Sequence, residues 1–137
     1  MTDTTVPDFF DHFPMRRVLS DALDGVLTDG SAALDLLFLW GRDCPNCDIA
    51  KRAILAQPQQ MIWPGVRWLH DNVYEDAAMA TRFGLHGIPA FFVFRQGKRL
   101  GRITSWPGTD AFHATINDLL GRSTQTEAIA AIDVRPK

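Results

Sequence analysis

The sequence predicts a single α/β domain: a sheet with parallel strand pairs, covered by helices and closed by a hairpin. Three observations carry that prediction. Apolar runs that read as strands alternate with helical segments through most of the chain, an order that gives parallel pairs. Beyond Pro89 the pattern changes to two strands joined by the short Gln96-Gly97-Lys98 turn, which reads as a hairpin. With 137 residues, 46% hydrophobic and 22% charged, the chain has material for one packed core and too little for two.

The elements follow in order. Phe9, Phe10 and Phe13 lie on one face of a short helix within residues 6–14, where packing is the expected role. Residues 15–19 read as a short first strand. Ser20 is expected to cap a helix through Asp24 that ends before the Asp29-Gly30 turn. Residues 34–40 form the strongest strand, apolar throughout except for Asp35, as a strand buried on both faces should be. A helix begins at Pro45, suited to a first helical turn, and stops by Pro58. Residues 66–69 read as the next strand, followed by a helix over residues 77–83 that ends at Gly84. Residues 90–94 and 99–105 make the hairpin. A last helix starts at Thr109, turns Phe112, Ile116, Leu119 and Leu120 inward, and is expected to close at Gly121. The stretch 123–137 reads as a tail with one helical turn near residues 127–132.

Charge and leader features narrow the function classes. A formal net charge of −2, with scattered Lys and Arg, gives no footprint for nucleic acid. The pairs Arg16-Arg17 and Lys51-Arg52 read as solvated surface. No apolar run approaches membrane-spanning length, and the acidic, polar N-terminus lacks the pattern of a secretory signal. The expected compartment is the cytoplasm, although a trimmed exported chain would read the same way.

Cys44 and Cys47 are the only two cysteines. In a reducing compartment such a pair is more often catalytic or metal-binding than structural. Its place at a strand-to-helix junction favours redox chemistry. The first cysteine would sit at the helix N-terminus, where unpaired N–H groups and the dipole stabilise a thiolate. The second would lie one turn later, able to resolve a mixed disulfide. A zinc site needs four ligands, and His12, His70, His86 and His113 have no ligand spacing. No metal and no cofactor are expected.

The segment Leu37-Phe38-Leu39-Trp40-Gly41-Arg42-Asp43-Cys44-Pro45-Asn46-Cys47 resembles the strand, tryptophan and C-x-x-C of thioredoxins. Residues 83–97, with Gly87-Ile88-Pro89 before a buried strand, resemble the segment that carries the cis-proline and hairpin of that family. The resemblance covers residues 15–121, with 1–14 as an N-terminal extension and 122–137 as a C-terminal tail. It implies a thioredoxin fold, a central mixed sheet with helices on both faces. It further implies a thiol–disulfide oxidoreductase in which Cys44 attacks and Cys47 resolves. Ile88-Pro89 would be a cis peptide facing the cysteines, and Gly87, Ile88, Pro89 and Trp40 would line the substrate site. Protein disulfides would be the substrates, with a thioredoxin-reductase-like protein as the electron donor.

The chain also departs from that pattern. Phe38 stands where thioredoxins keep a buried aspartate, Asp43 where a tryptophan precedes the nucleophile, and Arg52 where a proline kinks the helix. His86, three residues before Pro89, is then a candidate proton shuttle in place of the missing acid, or simply an exposed loop residue. Proline after the first cysteine also resembles glutaredoxins, some of which hold iron–sulfur clusters. A reading from another class is a thioredoxin-like binding or chaperone module whose cysteines are incidental.

Overall fold

The computed structural model describes residues 8–129, with the side chains of residues 8–121. Its elements run α1 (Phe9–His12), β1 (Arg16–Arg17), α2 (Leu23–Leu27), β2 (Leu34–Trp40), α3 (Pro45–Ala56), a 3₁₀ turn (Pro58–Met61), β3 (Val66–Asn72), α4 (Ala77–Phe83), β4 (Ala90–Arg95), β5 (Lys98–Thr104) and α5 (Thr109–Ile129).

The five strands form one sheet in the order β1-β3-β2-β4-β5. β1 and β2 each run parallel to β3, while β4 is antiparallel to both β2 and β5. β2 is central, and all seven of its residues are buried. That accounts for its near-continuous apolar sequence, since both faces of the strand are covered.

Strand alternation divides the core in two. On one face Leu34, Leu36, Phe38 and Trp40 of β2 pack with Phe9 and Phe13 of α1, Ala50 and Ile54 of α3, and Phe112, Ile116 and Leu119 of α5. On the other, Leu37 and Leu39 pack with Leu23, Val26 and Leu27 of α2 and with Met79 and Phe83 of α4. The three aromatic residues near the N-terminus are therefore packing residues. Phe9 is fully buried, with its ring 6.3 Å from that of Phe38. Val6 and Pro7, included in the predicted first helix, lie outside the described residues.

Four sequence expectations change. Ser20 does not cap α2: its N–H and hydroxyl both donate to Asp76, at 2.7 and 2.9 Å, tying the loop before α2 to the start of α4. β3 continues three residues past Leu69 through His70, Asp71 and Asn72, all buried. Polar residues continue this strand because both neighbours pair with it: Phe38 and Trp40 of β2 stand opposite His70 and Asn72. Lys51 is fully buried, unlike its neighbour Arg52, which is exposed. Finally, α5 passes through Gly121 and continues to Ile129. A glycine weakens a helix interior by about 1 kcal/mol without ending it. The remainder of the turn expected near residues 127–132 lies outside the described residues.

Asp35, the one acid in β2, is buried on the α2 face and pairs with Arg67, whose Nε donates to its Oδ1 at 2.6 Å. Arg67 also donates to the Val26 carbonyl at 2.9 Å and to Asp29. The buried charge is thus hydrogen-bonded, as burial requires.

Candidate active site

The β2–α3 junction holds the cysteines. β2 ends at Trp40, and Gly41, Arg42 and Asp43 turn the chain so that Cys44 becomes the N-cap of α3 in an extended conformation. Asp43 takes a φ of 55°, a left-handed conformation that Asp tolerates better than most residues. Pro45 occupies the first turn of α3, where its missing N–H leaves no lost bond. Cys44 and Cys47 form a disulfide with their Cα atoms 5.2 Å apart. The Cys47 N–H donates to Cys44 Sγ at 3.1 Å. That bond and the helix N-terminus would stabilise a thiolate on Cys44 once the disulfide opens. Cys44 retains 7% of its surface exposed and Cys47 none, so only Cys44 offers its sulfur to a partner.

Across from this pair, Cys44 Sγ lies 3.7 Å from the carbonyl oxygen of Ile88. The Ile88–Pro89 peptide bond is cis. Pro89 is buried, Ile88 is half-buried, and Gly87 and His86 are exposed in the bend before them. Trp40 is buried at 8% exposure, below the loop that carries Cys44. The structure thus brings Cys44, Cys47, Ile88 and Pro89 together, with Trp40 beneath and His86 on the outer side of the loop.

Beneath the disulfide the core is aromatic and carries two titratable groups. Phe38 is fully buried and stacks on Phe91 with ring centroids 5.0 Å apart. Lys51, one helical turn after Cys47, sends its Nζ to 3.8 Å from the Trp40 ring centroid, with Phe10 and Phe9 at 5.5 and 5.9 Å. Such contacts stabilise a cation where water is excluded. His70 stacks on Phe10 at 3.9 Å, and its Nδ1 accepts a hydrogen bond from Trp40 Nε1 at 3.1 Å. The indole can only donate, so Nδ1 is the unprotonated nitrogen and its lone pair is committed. Burial, with the nearby charges of Arg17 and Lys51, holds His70 down from 6.5 to about 4. His70 is therefore neutral at physiological pH and orients Trp40, with no lone pair left to accept a proton from Cys47.

A buried acid does exist near the end of β3, but on the opposite side of the sheet. Asp71 stands in register with Leu39, whereas Phe38 and Trp40 share the disulfide face. Neither oxygen of Asp71 has a hydrogen-bond partner among the described residues, and Arg17 Nε lies 3.6 Å away. Burial, together with the adjacent Asp76 carboxylate, which favours the protonated form, pushes its carboxyl up from 3.8 to about 8.

His70, Lys51 and Tyr74, which lies beside Gly41, were not singled out by the sequence as site residues. Lys51 carried a legible signal. Positions 47, 50, 51 and 54 make the i, i+3, i+4, i+7 stripe of a buried helix face, and lysine occupies one of them.

This strand order, with the Cys-x-x-Cys at the N-terminus of the helix after the central strand and a proline loop opposite, is the thioredoxin fold. Solved structures similar to the chain include thioredoxins from several organisms. Thioredoxin from Trypanosoma brucei brucei superposes with a TM-score of 0.67 at 14% identity, covering 80% of this chain and 94% of that one. A mutant thioredoxin from Halobacterium salinarum gives 0.63 at 19% identity, over 78% of this chain and 91% of that one. Oxidised mitochondrial thioredoxin 3 from Saccharomyces cerevisiae gives 0.64 at 16% identity, over 76% and 94%. No protein-family model matches the sequence. No curated protein matches it either. Among the described residues, no helix is long and apolar enough to cross a membrane.

Proposed function

We propose that the chain is a thiol–disulfide oxidoreductase acting on protein disulfides. The observation that carries this reading is a disulfide closed across the first turn of α3, with the more exposed sulfur facing the Ile88 carbonyl at 3.7 Å. In the reduced protein, the Cys44 thiolate attacks one sulfur of a substrate disulfide. A Cys44–substrate disulfide forms, and the other substrate sulfur departs as a thiolate that takes up a proton. Cys47 then loses its proton and attacks Cys44 Sγ, which closes the Cys44–Cys47 disulfide and releases the second substrate thiol. Two electrons have passed to the substrate. A dithiol donor of the thioredoxin-reductase type would restore the reduced pair, and a cytoplasmic setting fits that supply.

Gly87, Ile88 and Pro89 form the substrate-binding loop in this scheme, with backbone groups beside Pro89 pairing with an extended substrate segment. Trp40 supports the loop from below. Phe38 stands in the core where a buried carboxylate would take the Cys47 proton. That proton leaves to water, to His86, the exposed imidazole three residues before Pro89, or to an acidic neighbour, Asp43 or Asp48. Insulin reduction under dithiothreitol tests the reading. Wild type should accelerate precipitation of the insulin B chain, and Cys44→Ser should not. Equal rates for the two proteins would refute the oxidoreductase reading and leave a binding module.

A further inference from the structure

Gly41 is buried, although it lies in the loop leading to the disulfide. What covers it is side chain from two other segments. A Cβ at Gly41 would lie 2.6 and 2.8 Å from Cε2 and Cδ2 of Tyr74, and 2.8 Å from Cδ1 of Ile88. The Tyr74 ring and the Ile88 side chain therefore meet over the backbone between Trp40 and Cys44, a seat open only because residue 41 has no side chain. Tyr74 is nevertheless 61% exposed. One edge of the ring rests on Gly41 and Ile88 while most of it meets solvent.

The backbone holds the ring in that place. Val73 N–H donates to the Trp40 carbonyl at 2.8 Å, and Tyr74 N–H donates to Asn72 Oδ1 at 2.9 Å. Asn72 itself is buried at the end of β3, and its carbonyl accepts from Glu75 N–H at 3.0 Å. The turn that presents Tyr74 is thus fastened to the strand end that presents the cysteines.

The chemistry of the site fixes what comes to this ledge. Any substrate must bond its sulfur to Cys44 Sγ, at about 2 Å. That sulfur is then next to the Ile88 carbonyl, and Ile88 is one half of the ledge. We propose that Tyr74 and Ile88 select protein disulfides in which the attacked cysteine is flanked by a large apolar or aromatic residue, which packs on the exposed Tyr74 ring. The proposal rests on the oxidoreductase reading above and adds its substrate class. The residue before Ile88 is Gly87, which is exposed and adds no side chain beside the ledge. A ring laid against a ring is worth enough to discriminate about 3- to 10-fold between otherwise equal substrates.

Two disulfide-linked peptides that differ only in Phe or Ser beside the attacked cysteine provide the test, with hydroxyethyl disulfide as a substrate that has no flanking residue. The Phe:Ser ratio of kcat/KM is read within each protein, so a general loss of exchange cancels. Wild type should favour the Phe peptide by about 3- to 10-fold. Tyr74→Ala should bring the ratio close to one, and Tyr74→Phe should keep it. Gly41→Ala should also lower it, since the new methyl displaces the ring while leaving tyrosine in place. Equal turnover of both peptides by wild type, or a preference that survives in Tyr74→Ala, overturns the proposal while the oxidoreductase reading stands. Failure of wild type to turn over any of the three disulfides overturns both.

Discussion

His70 should make the fold sensitive to acid over a window set by its burial. The imidazole is held at about 4 in the folded chain against 6.5 when free, because it is buried between Phe10 and Trp40 near Arg17 and Lys51. A base whose folded value is depressed contributes its full stability above 6.5. It loses that stability as pH falls towards 4, where the unfolded chain binds the proton and the folded chain does not. Across the whole window the loss is about 3 kcal/mol, of which about 2 kcal/mol is gone by pH 5. The perturbation is His70→Gln, which keeps an acceptor for Trp40 Nε1 and removes the titration. Thermal melts of both proteins from pH 7 to pH 5 measure the effect. Wild type should lose stability relative to His70→Gln by about 2 kcal/mol, equivalent to roughly 6–10 °C in Tm for a domain of this size. Comparing the two proteins at each pH removes the contributions of every other titrating group. A Tm difference that stays constant between pH 7 and pH 5 would show that His70 is protonated without penalty and is not buried as described.

Asp71 should act in the opposite direction. Its carboxyl is raised to about 8, so its contribution is full below 3.8 and is lost as pH rises through 8. Asp71→Asn should therefore gain on wild type by about 2 kcal/mol or more between pH 5 and pH 8.5 in urea titrations, and an unchanged difference would contradict the burial argument. In the reduced protein, iodoacetamide should alkylate Cys44 well before Cys47, because only Cys44 retains exposed surface. Peptide mapping after partial labelling reads the order, and equal labelling would reverse the assignment of nucleophile and resolver. Phe38→Ala should destabilise the fold by about 3–5 kcal/mol, since it empties a fully buried site stacked on Phe91. A Tm within two or three degrees of wild type would mean that the aromatic core beneath the disulfide adds little.

Much of this architecture was legible in the sequence because strong patterns coincide with strong constraints. β2 has to be apolar on both sides, and α3 starts where Pro45 can only start a helix. The Gly-Ile-Pro run precedes a strand that is buried along most of its length. What escaped was decided by tertiary contacts. The apolar run that marks β3 stops at Leu69, yet the strands on both sides continue pairing past Leu69. Ser20 reads as a cap by local chemistry, but Asp76, 56 residues away, offers its hydroxyl and N–H a better partner. Lys51 beside Arg52 reads as surface charge until the helical stripe through Cys47 is counted. Tyr74 left no local sign at all. Its role depends on Gly41 having no side chain, a relation between two loops that sequence spacing does not express.

The pleat that separates the two faces also sorts the ionisable groups by parity. Even positions of β2 and β3 look toward the disulfide and meet His70 and the α3 cation Lys51; odd positions look away and carry Asp35 and Asp71. Every side chain changes sides if a strand slips by a single residue. An insertion of one residue in the loop before β3 would therefore do more than disturb packing. It would bring a carboxylate to the side of the cysteines in place of a neutral imidazole, and a carboxylate beside Lys51 would offset the cation there that favours a thiolate. Register in this sheet is thus a chemical setting as well as a geometric one, and point changes at the even positions can tune the thiols without touching the acids on the far side.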